Sequence, residues 1–277
     1  MLNTEFIFRD RVFGDDDRKP STEALEVTSG GSRLYGYTLL PGGRKDEKHP
    51  CVIMLHGFPG HTTNHDVLQC LRRIGCVAVN PFFRGAWGSE GFYTFSGLPE
   101  DACAVAEWLR SDETAEKYSI DTDNMFIVGH SMGGFACINA MRRLNWIKGG
   151  VCMAPYDMPW FFENEKVDSF AALLPIGSCL RQESQTSLME NAQSCWKEMA
   201  FSQAFDDLKD RNICFVGGKN DAVAPPEDMI FPLWNRLAAH AANAVQECCM
   251  IDSDHSFNDS RIALCETVCR LIAKMAQ

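Results

Sequence analysis

Three side chains in this sequence have the types needed for acyl transfer: a serine, a carboxylate and an imidazole. Ser131 stands in the stretch FIVGHSMGGFA (126–136), with Gly129 two residues before it and Gly133 two after. Asp221 lies in GGKNDAVAP (217–225) and His255 in DSDHSF (252–257). A serine hydroxyl is a poor nucleophile until a neighbouring imidazole removes its proton, and the imidazole needs a carboxylate to fix its tautomer and stabilise its cation. The chemistry such a set would perform is attack on an acyl carbon through a covalent intermediate. It requires that the three residues, 124 positions apart at most, be delivered to one place.

The surrounding pattern predicts elements that deliver them. The apolar run 125–128 reads as a buried strand, and the small and apolar residues from Met132 onward read as a helix. A strand that turns directly into a helix forces its apex residue, Ser131, into an unfavourable backbone conformation. Gly129 and Gly133, lacking Cβ atoms, let the two backbones approach. Asp221 follows the predicted strand ICFVG (213–217), and His255 follows ECCMI (247–251). Further strands are predicted at CVIML (51–55), CVAVN (76–80) and GVCMA (150–154), with a hairpin around Gly30 and Gly31. Helices are predicted over about 63–74, 98–110 and 227–240, and from about 259 to the end.

Strands alternating with helices predict an α/β fold with a mainly parallel sheet covered on both faces. One interval breaks the rhythm. About 57 residues separate Ala154 from Ile213, where a crossover needs only about 10–12. Residues 156–211 therefore read as an insertion at the sheet edge where ligands bind, that is, a lid.

Composition sets outer bounds. Hydrophobic residues at 45% and charged residues at 23% are ordinary globular values, so 277 residues can bury one large core. A net charge of −11 argues against nucleic acid and anionic membrane surfaces as partners. The N-terminal stretch is charged and lacks the apolar core of a signal peptide, and no apolar run has the length of a membrane span. The thirteen cysteines are odd in number and many sit inside apolar runs. They predict free, largely buried thiols and a cytoplasmic location. Cys265 and Cys269, one helical turn apart, favour core packing over zinc.

The segments LHGFPG (55–60), NPFFRGAWGSEG (80–91), GHSMGG (129–134), GGKNDAVAP (217–225) and DSDHSF (252–257) carry a family resemblance. Together with the order Ser, Asp, His, they resemble α/β-hydrolases. More narrowly, the chain is similar to small esterases related to cinnamoyl (feruloyl) esterases and to the catalytic domain of the prolyl oligopeptidase group. The resemblance runs from about residue 24 to the end; the lid carries no matching motif. It implies a single α/β-hydrolase domain over residues 1–277, with about eight strands and the lid inserted after the sixth. It implies an oxyanion hole built from the backbone amides of Phe58 and Met132. The expected activity is hydrolysis of carboxylic esters with aromatic or short-to-medium acyl groups, without metal or organic cofactor, by Ser131, Asp221 and His255. Trp160, Phe161 and His61 are the candidate substrate-binding residues.

Alternatives stand beside this reading. Asp157, following GVCMA, is the rival acid, and His56 and His130 are the rival bases. Arg84 and Glu90 are a structural loop pair or a grip on charged substrate. A peptidase of the prolyl oligopeptidase type would use the same triad but commonly carries an N-terminal propeller. A non-catalytic binding protein of this fold would commonly lose a triad member, and all three are present. The sequence leaves open a homo-oligomer and the identity of the ester.

Overall fold

The computed structural model describes residues 2–277. Eight strands form one sheet: β1 (Ser21–Ser29), β2 (Ser32–Leu40), β3 (His49–Leu55), β4 (Val77–Pro81), β5 (Ile120–His130), β6 (Gly149–Met153), β7 (Asn212–Gly218) and β8 (Gln246–Ile251). Their spatial order is β1-β2-β4-β3-β5-β6-β7-β8. The hairpin β1–β2 and the pair β2–β4 are antiparallel. All remaining pairs are parallel, as the alternation of strands and helices predicts.

The central runs 51–55, 77–79, 125–128, 150–153 and 213–216 carry no polar side chain because both faces of the sheet are covered there. Alternate residues feed two cores. Ile53, Leu55, Val79, Ile127, Cys152 and Phe215 point into one, beneath the helices Gly97–Arg110, Met132–Arg143 and Phe231–Ala238. Val52, Met54, Phe126, Val128, Val151 and Val216 point into the other. There the helix His65–Ile74 offers Val67, Leu68, Leu71 and Ile74, and the helix Arg261–Met275 offers Leu264, Val268, Leu271 and Ile272. These are single apolar stripes at helical spacing. Ile53 is fully buried, and truncating such a side chain to alanine costs about 2–5 kcal/mol.

Three local differences from the sequence reading have identifiable causes. The helix expected over 227–240 is two, Pro226–Met229 and Phe231–Ala238, because Pro232 has no N–H to donate and its ring crowds the preceding turn. A helix over Asp112–Tyr118 was not expected. Ser111 caps it by accepting from the Thr114 amide, with Asp112 and Glu113 in its first turn. A 3-10 turn, Thr4–Ile7, packs beside the helix His65–Ile74. Among the described residues no helix is long and apolar enough to cross a membrane.

Between β6 and β7 the chain forms the helices Met158–Glu163, Val167–Ala171, Gln185–Met199 and Phe205–Leu208, with 3-10 turns between them. The segment is anchored on two sides. Asn139 Nδ2, on the helix Met132–Arg143, donates to Met199 O at 3.0 Å. The Ser96 amide donates to Asn191 Oδ1 at 3.1 Å, and Asn191 Nδ2 donates back to Ser96 Oγ at 2.8 Å.

Candidate active site

Register brings the carboxyl ends of the parallel strands together at one edge. Leu55 pairs with Gly129, His130 with Met153, and Gly218 with Ile251. The loops following β3, β5, β7 and β8 therefore open onto a common space.

Ser131 sits between β5 and the helix Met132–Arg143 with φ 57° and ψ −120°, a conformation an L-residue holds only under constraint. The constraint is visible. Its amide donates to Met153 O at 2.9 Å, and its carbonyl accepts from the Gly134 and Tyr156 amides at 2.8 and 3.0 Å. The turn closes because of the flanking glycines. A Cβ on Gly129 would lie 2.0 Å from Gly133 O, and one on Gly133 would lie 2.1 Å from Leu55 O. Gly57 makes a related approach from the β3 loop, where a Cβ would stand 3.0 Å from Ser131 Cβ.

Asp221 and His255 meet as the sequence reading expected. His255 Nδ1 donates to Asp221 Oδ2 at 2.7 Å, and the Asp221 side chain is almost fully buried. The other carboxylate oxygen, Oδ1, accepts from the Val223 and Ala224 amides at 2.8 and 2.7 Å. That leaves Nε2 as the free ring nitrogen of His255. The two loops are cross-tied: Asn220 Nδ2 donates to Asp252 Oδ1 at 2.8 Å, and the Asn220 amide donates to Ser253 O at 3.0 Å. His130 Nε2 donates to the His255 carbonyl at 2.9 Å.

Two cavities meet at Ser131 and His255, and Phe58 also borders both. The first, of about 220 Å³, has an apolar wall. Phe95 contributes from the loop before the helix Gly97–Arg110, Tyr156, Phe170, Leu173, Leu174 and Ile176 from the insertion, and Val223 from the β7 loop. The second, of about 170 Å³, is polar and is bordered by Gly60, His61, Thr62 and Ser256. At the junction, Met132 is the first residue of its helix, and first-turn amides have no intrahelical acceptor. Among the described residues the Phe58 amide also has no acceptor in the protein.

The rivals are otherwise engaged, although His130 also borders the polar cavity. His56 is fully buried with both nitrogens engaged: Nδ1 donates to Gly57 O and Nε2 accepts from the Phe83 amide. Burial lowers it to about 4. Burial, ahead of the adjacent His255, likewise lowers His130 to about 4. Asp157 begins the helix Met158–Glu163 and accepts only from the Phe201 amide, at 3.4 Å. Burial raises its carboxyl well above the ordinary range. Arg84 pairs with Asp101 and Glu100, and Glu90 with Arg33, so both serve the loop that carries them.

The expectation for Trp160 and Phe161 needs correction, because neither borders a cavity at Ser131. Trp160 lies under the Lys166 ammonium, 4.3 Å from ring centroid to Nζ. Phe161 stacks on the back of Tyr156, at 5.4 Å, and against Phe170. They support the wall from behind. His61 does border the polar cavity, with its ring edge-on to Trp87. Phe95, Tyr156 and Val223 were missed. Their signal was position: Tyr156 lies just beyond β6, beside the Ser131 turn, and Val223 two residues beyond Asp221.

Residues 52–263 match the profile described as the Alpha/beta hydrolase family, and the chain belongs to that family. The fold is similar to the esterase Pf2001 of Pyrococcus furiosus, with a TM-score of 0.66 and 16% identity over 92% of this chain and 93% of that one. It is similar to Est1E from Butyrivibrio proteoclasticus, solved with ferulic acid bound, with a TM-score of 0.64 and 18% identity over 91% of this chain and 99% of that one. A puromycin hydrolase gives a TM-score of 0.68 and 17% identity over 93% of this chain but only 39% of its own. No curated protein matches the chain significantly.

Proposed function

We propose that this chain is a serine hydrolase of carboxylic esters with aromatic or short-to-medium acyl groups. The observation that carries the reading is the His255–Asp221 hydrogen bond of 2.7 Å, made by a histidine that borders the same two cavities as Ser131. With Nδ1 committed to Asp221, Nε2 of His255 takes the proton from Ser131 as Oγ attacks the acyl carbon. The Phe58 and Met132 amides hold the oxyanion, each donor lowering the barrier by a few kcal/mol (about 2.7–4 where one such donor has been removed). The cationic imidazole, stabilised by Asp221, returns the proton to the departing alcohol. Water activated by His255 then releases the acid.

The two cavities divide the substrate. The apolar one takes the acyl group, and the polar one, with His61 at its side, takes the alcohol. The insertion over 156–211 acts as the lid, since it supplies most of the acyl wall. One protein of similar fold is called an esterase and another was solved with ferulic acid bound, which accords with this reading.

Labelling with a fluorophosphonate, followed by peptide mapping, tests it. The label is expected on Ser131, and turnover of nitrophenyl esters is expected to vanish in parallel. A label elsewhere, or turnover that survives full labelling of Ser131, would overturn the reading. A peptide-amide substrate run alongside separates esterase from peptidase.

A further inference from the structure

The helices His65–Ile74 and Arg261–Met275 meet on the face of the sheet away from the acyl cavity, and they bring two thiols together there. Cys70 and Cys265, both nearly buried, border a surface cavity of about 300 Å³ with Ile7, Phe8 and Arg73. Asp66 and Arg261, each four residues before one of these cysteines on the same two helices, pair at 2.6 Å, so the two cysteines lie along one helix–helix seam. On the other side of Cys70, Arg73 Nη2 approaches Sγ at 3.1 Å. That guanidinium is fixed, because it also donates to Phe6 O at 3.0 Å and Ile7 O at 2.6 Å. A negative sulfur is the species this arrangement favours. The neighbouring Cys265 thiol, ahead of the Arg73 charge, lowers Cys70 below the ordinary thiol range against the opposing effects of burial and Asp66.

We propose that Cys70 and Cys265 form an oxidant-reactive dithiol, modified by small hydroperoxides that enter through this cavity. The Cys70 thiolate attacks one peroxide oxygen and the O–O bond breaks. Cys70 becomes the sulfenic acid, and the other oxygen leaves as water after taking up a proton. The Cys265 sulfur then attacks the Cys70 sulfur and expels its hydroxyl, which leaves as water with the Cys265 proton. Two thiols lose two electrons and two protons, and hydrogen peroxide becomes two waters. The resulting bond joins two helices that lead out of site loops. The helix of Cys70 follows the loop carrying Phe58 and His61. The helix of Cys265 begins at Arg261, whose guanidinium donates to Ser256 O at 2.8 Å and Asn64 Oδ1 at 3.0 Å.

The test is read on the thiols, so its outcome is independent of the ester chemistry. The reduced full chain is treated with stoichiometric hydrogen peroxide, quenched with N-ethylmaleimide and mapped without reductant. The Cys70–Cys265 linked peptide is expected first, forming at least about tenfold faster than any modification of the exposed Cys179. In Cys265→Ser, Cys70 should instead accumulate as a sulfenic acid trapped by dimedone. Earlier oxidation of Cys179, or Cys70 passing to the sulfinic acid while Cys265 stays reduced, would overturn the proposal.

Discussion

Replacing Asp221 by Asn tests the site at its most constrained point. The carboxylate is held from two sides: Oδ1 accepts two amides at 2.8 and 2.7 Å, and Oδ2 accepts from His255 Nδ1 at 2.7 Å. An asparagine can turn its oxygen toward only one side. Facing Nδ2 to the Val223 and Ala224 amides would leave both donors without acceptors, at about 1–3 kcal/mol each. Its oxygen therefore stays with the amides and its NH2 points at His255. Nδ1 must then accept, the ring proton moves to Nε2, and the nitrogen that should deprotonate Ser131 is already protonated. The wrong tautomer in a triad of this kind costs about 10⁴ in kcat, or about 5 kcal/mol of transition-state stabilisation. Folding should hardly change, because every hydrogen-bonding position keeps a partner. Asp157→Asn is the control, and it should leave kcat within about twofold, because Asp157 has only a long contact to the Phe201 amide. Steady-state turnover of a nitrophenyl ester, with thermal unfolding of each variant, decides the matter. If Asp221→Asn keeps more than about a tenth of kcat, tautomer control by Asp221 is refuted. If Asp157→Asn is the crippled one, the acid has been misassigned.

Three further outcomes follow from the same geometry. Ser131→Gly and Ser131→Ala should both be inactive, but the glycine variant should be more stable than the alanine one by about 1 kcal/mol in chemical denaturation, since only glycine relaxes at φ 57°. Burial raises the Asp157 carboxyl, so the folded state holds that proton more tightly than the unfolded chain and stability falls as pH rises above about 4; Asp157→Asn should remove that slope, its stability advantage growing from pH 4 toward neutrality in denaturant titrations. Ile176→Ala with Val223→Ala, both half-exposed at the mouth of the apolar cavity, should cost about 1–2 kcal/mol, roughly five- to thirtyfold in kcat/KM, for benzoyl or butyryl over acetyl esters; Trp160→Ala should leave that profile unchanged.

The features legible in the sequence are those whose physical cause is local. The turn at Ser131 needs small residues two positions away on each side, and a glycine pair at that spacing is visible without any structure. The central strands are buried on both faces, so they read as unbroken apolar runs. Asp221 and His255 follow such runs directly, which fixes their edge of the sheet before their contact is seen. The break at Ile230 was legible too, through Pro232. The helix over Asp112–Tyr118 had its signal in Ser111 followed by two acids.

The apolar wall beside Ser131 was not legible, for a different reason. In PWFFENE (159–165) three aromatic residues follow one another on a helix, so they point in directions about 100° apart. Composition marks the segment as aromatic and cannot say which ring faces inward. Phe161 turns to Tyr156, Trp160 to Lys166 and Phe162 to Trp196, so none reaches the cavity. The aromatic rings that do are Phe58, Phe95, Tyr156 and Phe170, drawn from four separate segments and joined only when the insertion folds back over the edge. The proposed nucleophile and its partners depend on strand ends that the sheet register fixes. The surface that would choose among esters depends on how one set of helices is docked, through Asn139, Asn191 and the Tyr156–Phe161 stack. Substitutions in those docking contacts would therefore shift substrate preference without touching a residue of the triad, a separation that sequence spacing alone has no means of expressing.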